Sequence, residues 1–436
     1  MKALFLVHNH PNRGSWFRAL EIARRVAQRG HTVQFAFTSD TRKYRPAYMP
    51  ANSGELSPWP DPSLASSAVR DRLPLRNVVP GKNFIWAEMP YRTLFNERQE
   101  GWSVFDNFVR LRDALSERWE LVYGFSHKPV CVLPGLMAQM RGAKYLLDWS
   151  DWWGTDEGLF SRCVIPSQGF QALPFPLRFA RRAVFGIEGW REPLAYRKPD
   201  AVTLISEEFF HHPRAPKDLS SRALVMHSGS DLEHIRPQTK AGSRNAIGLD
   251  VPDDAVVFGY IANFHMAERL LLEAFARVRQ EIPNAVLLVV GAGLEQSTPE
   301  IHALTAGGIR HYGWQPFTRI SQFLGASDVL VLPLNNIALD RARYPHKLSD
   351  YVAAGRPIVA CDVGETGRLL KRYNFGRLCT PDSANLSATM IRAAKERATW
   401  EDEGNQVRSA AESHFDWNDI FERWREFVTD RTGLAL

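Results

Sequence analysis

The chain has 436 residues, of which 44% are hydrophobic and 23% charged, with a formal net charge of +6. A single hydrophobic core rarely grows past roughly 250–300 residues, so two domains are expected, with the residue balance of an ordinary soluble globular protein. The mild positive excess suits an anionic small substrate or an anionic membrane surface, and no nucleic-acid partner is expected. No stretch approaches the roughly 20 apolar residues of a membrane span, and the first apolar run is too short for a signal peptide. Cys131, Cys163, Cys361 and Cys379 have neither CxxC nor Cys/His metal spacing, so no metal is expected and the thiols are read as reduced.

Residues Ala3–Val7 read as a buried parallel strand. A polar loop with Gly14 follows, then Trp16, Leu20, Ala23 and Val26 at helical spacing, Gly30 as a stop, and a second strand from His31 to Phe37. That order makes a βαβ unit. Residues 40–100 are rich in Pro, Ser and Arg and read as loops with short strands. Regular order returns with a helix at 105–115, a strand at 121–125, a helix at 133–140 and a strand at 144–149. Residues 160–198 read as helical segments broken by prolines, and 201–206 as a further strand. A second αβ series begins near residue 254, after a charged, proline-bearing segment at 212–250. It predicts strands at 255–262, 285–290, 309–313, 329–333 and 357–361, alternating with helices. Alternation of this kind argues for parallel sheets.

The chemistry is densest from Asp340 to Pro357. Pro345 suits a first helical position and Gly355 a C-terminal stop, and Lys347 and Asp350 share one face of the helix between them. With Arg341 and Arg343 beside it, that helix start reads as a pyrophosphate site and Asp350 as a partner for ribose hydroxyls. The plainer reading is a local Lys347–Asp350 ion pair on a solvated helix. Asp148, Asp151 and Trp152, in a run with three tryptophans, read either as a sugar-binding loop or as a cover for the core. The stretch from Phe175 to Phe185 mixes arginine with bulky apolar residues and reads either as a surface helix or as a peripheral membrane contact.

Asp350, five residues before Gly355-Arg356-Pro357, lies in a pattern that resembles the carboxylate-bearing helix of glycosyltransferase family 4. Leu288–Gly293, Gly313-Trp314, Ala326–Pro333, Val363-Gly364-Glu365, His227–Asp231 and Ser206-Glu207 resemble further signatures of that family in the same order. The resemblance implies an α/β GT-B fold, with two Rossmann-like domains of parallel sheet facing across a cleft. It implies an acceptor-binding domain at 1–210, a nucleotide-sugar-binding domain at 211–415, and a terminal helix at 416–436 packing back on the first. The implied activity is a retaining, hexosyl-type glycosyltransferase without metal or other cofactor. It would act in the cytoplasm or at the inner face of the membrane, on a glycan or lipid-linked acceptor.

His127, Arg343 and Lys347 take the catalytic positions by this resemblance. Gly14, Gly291, Gly293, Trp314, Arg341, Asp350, Gly364 and Glu365 take the donor, and Asp148, Asp151 and Trp152 the acceptor or sugar. The chain departs from the pattern at Ala342, where a second carboxylate is usual, and at 262–269, where a basic pair is usual; Arg341, Arg343 and Lys347 are read as its replacement. A non-catalytic scaffold of this fold and a nucleotide-sugar epimerase stand as alternatives. The sugar, the base and the oligomeric state are not legible.

Overall fold

The computed structural model describes residues 1–10, 14–38, 49–50, 83–89, 101–154, 157–166, 168–252, 254–262, 267–291 and 307–436. It divides into two compact units, Met1–His227 with Phe421–Leu436, and Ser228–Ile420.

The first unit holds one eight-stranded sheet. Its strands are β1 (Lys2–Leu6), β2 (Thr32–Thr38), β3 (Met49–Pro50), β4 (Phe84–Met89), β5 (Leu121–Gly124), β6 (Lys144–Trp149), β7 (Ala201–Leu204) and β8 (Ala223–Val225). Their order is β3-β4-β2-β1-β5-β6-β7-β8, and all pairs are parallel except β3 with β4. Strands β1, β5 and β7 are buried on both faces, as apolar runs such as Ala3–Leu6 require. The strand order reverses between β1 and β5, so their carboxyl ends form a switch point. Strand β8 continues the sheet past Ser206-Glu207. The unit extends to His227, within the charged, proline-bearing segment 212–250.

The end of the helix Trp417–Thr432 belongs to this unit. Its Trp424 is fully buried and stacks on Tyr123 at 5.8 Å, while Glu422 pairs with Arg29.

The second unit holds six parallel strands, β9 (Val257–Ala262), β10 (Val286–Gly291), β11 (Ile309–His311), β12 (Val329–Leu332), β13 (Ile358–Cys361) and β14 (Arg377–Cys379). Their order, β11-β10-β9-β12-β13-β14, is the 3-2-1-4-5-6 order of a Rossmann sheet, with its switch point between β9 and β12. Phe258, Tyr260, Leu287, Val289, Val331 and Val359 meet Leu271, Phe275 and Met390 in its core. Each unit is thus a Rossmann-like α/β domain. Cys131, Cys361 and Cys379 are buried free thiols.

Candidate functional site

The helix Lys347–Ala354 follows β12, and Gly355 closes it in the left-handed conformation at φ 61°. Residues four apart share a helix face, and here both are tied to β9. The Tyr351 hydroxyl accepts from the Ile261 amide at 3.0 Å, and Lys347 Nζ donates to the Tyr260 hydroxyl at 3.2 Å. The same ammonium lies 4.5 Å from the centre of the Tyr260 ring. Burial first, and then the neighbouring Arg343, push the Lys347 pKa down to about 7 against an opposing pull from Asp340.

Asp340 is fully buried in the short helix Ala338–Ala342. It pairs with Arg343 at 2.8 Å and accepts from the Asn335 amide at 2.8 Å. Burial raises its pKa despite those partners. Ala342 is also fully buried, so the short helix turns that position inward.

Gly364 brings the next element close. Its φ is 51°, and a Cβ placed on it would lie 2.3 Å from the Arg341 carbonyl oxygen. The helix Gly364–Arg372 therefore starts against the Arg341 backbone. Glu365, in its first turn, is buried and accepts from Arg368 Nη2 at 3.1 Å.

Arg341, Arg343, Lys347, Gly364 and Glu365 thus lie on adjoining turns or in contact with one another's segments, and Asp350 is half-buried one turn into the Lys347 helix. Gly291 and Trp314 lie at the ends of β10 and β11, beyond β9. The Gly291 amide donates to Gly313 at 2.8 Å at a φ of 125° that favours glycine, and Trp314 is exposed. Gly293 and residues 263–266 lie outside the described residues.

In the first unit, His8 and His127 follow β1 and β5 at the switch point. Gly14 keeps its expected place in the loop after β1. Its φ is 50°, and a Cβ there would press on the Asn9 side chain, which accepts from Ser15 Oγ at 2.7 Å. His127 Nε2 lies 3.2 Å from Glu188 Oε1, and Lys128 Nζ lies 4.0 Å from the same oxygen and 3.9 Å from the Trp153 ring centre. Burial pushes the Glu188 carboxyl up, but Lys128 and then His127 outweigh it, so its pKa sits below the ordinary value. Glu192, one turn on, accepts from the Trp149 indole at 2.9 Å and the Gly154 amide at 2.7 Å.

The proposed sugar-binding loop needs two corrections. Asp148 is fully buried, and its Oδ1 accepts from Arg18 Nε at 3.1 Å, from Arg18 Nη2 at 3.0 Å and from Thr203. Successive strand residues face opposite ways, and Asp148 takes the face covered by the helix Trp16–Gln28. Trp152 is 5% exposed and packs on His212 at 4.4 Å, so it covers the core. The indole beside His127 is Trp153, at 6.3 Å between ring centres. Asp151 stays half-buried at the end of β6. Trp153 belongs to the tryptophan run singled out in the sequence, whereas Lys128, Glu188, Glu192 and Tyr260 escaped the sequence reading. The i,i+4 pair Glu188 and Glu192, alone among arginines on its helix, was the available signal.

Residues 255–396 match the family model described as glycosyl transferases group 1. That span runs from the start of β9 to beyond the helix Ser383–Lys395, and so contains Tyr260, Arg343, Lys347 and Glu365. Sucrose-phosphate synthase from Thermosynechococcus elongatus is similar in structure over 100% of this chain and 99% of its own, with a TM-score of 0.67 and 15% identity. HepE of Anabaena, solved in complex with UDP and glucose, covers 99% of this chain and 100% of its own, with a TM-score of 0.65 and 14% identity. WaaG, a glycosyltransferase involved in lipopolysaccharide biosynthesis, covers 98% and 100%, with a TM-score of 0.62 and 16% identity. No curated protein matches the chain by sequence. The structural likenesses carry the GT-B fold, and with the family match they support a glycosyltransferase. Among the described residues, no helix is long and apolar enough to cross a membrane.

Proposed function

We propose that the chain transfers a hexosyl unit from a nucleotide-sugar to an acceptor hydroxyl, with retention of anomeric configuration. The observation that carries this reading is the pairing of Lys347 and Arg343 at the switch point of a Rossmann sheet inside the span matched by the family model. A half-desolvated lysine beside an arginine favours a ligand that brings two negative charges to one place, as a diphosphate does.

In this reading Arg343 and Lys347 bind the donor diphosphate and offset the charge that grows on it as the glycosidic bond breaks. Asp350 accepts from ribose hydroxyls, and Arg341 and the amides at the Gly364 helix start add positive potential. Trp314 and Gly291 border the nucleotide. His127, held by Glu188, donates to hydroxyls of the transferred sugar, and Asp151 takes the acceptor side. No cofactor beyond the donor is proposed, and the acceptor is a glycan or lipid-linked sugar. The setting proposed is the cytoplasm, with the chain peripheral at the inner face of the membrane.

The UDP held by HepE makes UDP-sugars the first probes. Titration calorimetry of UDP and UDP-glucose against the wild type and Lys347→Ala tests donor binding. NMR of the product anomer tests retention. An inverted product removes the retaining assignment. Release of an epimerised sugar nucleotide without acceptor replaces transfer with epimerisation, and absence of any nucleotide-sugar binding leaves a scaffold.

A further inference from the structure

Resting on the membrane setting proposed above, we propose that three helices on one side of the first unit form a docking face for an anionic lipid bilayer. The helices are Val104–Ser116, Pro129–Met140 and Phe175–Ala195. The first two pack on each other, and Val132 and Leu136 of the second face Trp190 and Leu194 of the third across a shallow apolar groove.

Exposed apolar surface is concentrated here. Among the described residues, every large apolar side chain that is more than a third exposed lies on these three helices, Trp314 excepted. On the third helix Phe175 is 72% exposed, Phe179 68% and Trp190 57%, with Leu177, Val184 and Ile187 between them. Met140, at the end of the second helix, is 81% exposed. Exposed apolar side chains gathered on neighbouring helices in this way mark a surface that meets something apolar.

Charge selects the occupant. The third helix carries Arg178, Arg181, Arg182 and Arg191 against two carboxylates, Glu188 and Glu192. Both carboxylates turn inward, to 3% and 0% exposure, where His127 and Lys128 hold Glu188 and the Trp149 indole and the Gly154 amide hold Glu192. The helix therefore shows the outside only cationic side chains. The second helix has no charged residue at all. Aromatic rings and arginines with no outward acid suit the boundary between acyl chains and anionic headgroups, because arginine stems lie along apolar surface while their guanidinium groups reach phosphate. A second copy of this chain is a poor occupant, since a two-fold contact through this face would set the same arginines against each other.

The test is flotation of the full-length protein with vesicles of phosphatidylcholine alone and of phosphatidylcholine mixed equally with phosphatidylglycerol. Binding is expected to the mixed vesicles and not to the neutral ones, and to fall with added salt. Phe175→Ser/Phe179→Ser is expected to abolish it. Arg178→Gln/Arg182→Gln is expected to weaken it about fivefold per arginine. All four positions are wholly or partly exposed, and an unchanged thermal melt confirms the fold of each variant. Equal binding to both vesicle types, or full binding by both double variants, overturns the proposal. So does a lipid-free dimer that Phe175→Ser/Phe179→Ser dissociates.

Discussion

Lys347 Nζ sits 3.2 Å from the Tyr260 hydroxyl and 4.5 Å from the centre of its ring, so the cation rests against an apolar strand rather than in open water. Its pKa of about 7, against an ordinary 10.5, means that the unfolded chain binds more protons than the folded one between these values. Stability contributed by this group therefore rises with pH across that window and is lost as pH falls through 7. Lys347→Met is expected to flatten the rise. Urea denaturation of both proteins at pH 6, 7.5 and 9 measures the difference, and parallel curves would remove Lys347 as its source.

A bound diphosphate reverses the effect, because two added negative charges favour the protonated amine. Donor binding near pH 8 is expected to take up a proton, with affinity falling as pH rises. Titration calorimetry in two buffers of different ionisation enthalpy reads that uptake directly, and Lys347→Met should abolish it. Asp350→Ala should weaken UDP and UDP-glucose by the same factor, about tenfold, since ribose is common to both. A loss confined to UDP-glucose would move Asp350 from the ribose to the sugar.

Much of this was legible because parallel strands buried on both faces write themselves as apolar runs. Val329–Leu332 and Ile358–Cys361 are such runs, and Gly355 and Gly364 punctuate the elements between them. Strand β8 was not legible: three half-buried residues in a charged, proline-bearing segment carry no periodicity. Asp148 shows a different limit. A carboxylate near a strand end looks functional in sequence, but a single step in the pleat decides whether it meets ligand or core. The partner that decides it, Arg18, lies 130 residues away. Tyr260 was hidden for the converse reason, since an aromatic residue in a strand is usually core and most of its ring is.

The Asp148–Arg18 pair predicts a stability phenotype instead of a binding one. Asp148→Ala leaves the fully buried Arg18 without its carboxylate, at a cost of about 3–5 kcal/mol. Donor affinity of the remaining folded protein should not change. Urea denaturation together with UDP titration separates the two effects, and normal stability with impaired sugar transfer would restore Asp148 to the sugar-binding loop.

Glu188 holds two cationic or protonatable groups at once, so its neutralisation should be felt beyond one hydrogen bond. Glu188→Gln leaves Lys128 buried against Trp153 without a counter-charge and is expected to destabilise the unit by about 3–5 kcal/mol. Lys128→Met in the same chain should recover most of that loss, because the penalty belongs to the unpaired charge. A double variant no more stable than Glu188→Gln would place the cost in the His127 contact instead.

Gly364 offers a test of how the donor half is assembled. Gly248 and Gly364 of the second unit share the left-handed conformation but differ in their surroundings. Gly248 has φ 65° and nothing within 4 Å of an added Cβ, whereas Gly364 has φ 51° and the Arg341 backbone at 2.3–2.4 Å. Alanine at either position costs the backbone strain of that conformation, about 1–2 kcal/mol. At Gly364 it must also push the chain at Arg341 away, and Arg343 follows two residues later on the same short segment. A displacement of that size at a phosphate-binding cation is expected to weaken donor binding at least about tenfold. Gly248→Ala should show the strain cost alone, a smaller stability loss than Gly364→Ala, and leave donor affinity alone. Thermal melts and UDP titrations on the two variants check both halves of the expectation. Equal donor affinity in Gly364→Ala and Gly248→Ala would mean that the close approach of Gly364 to Arg341 plays no part in positioning Arg343.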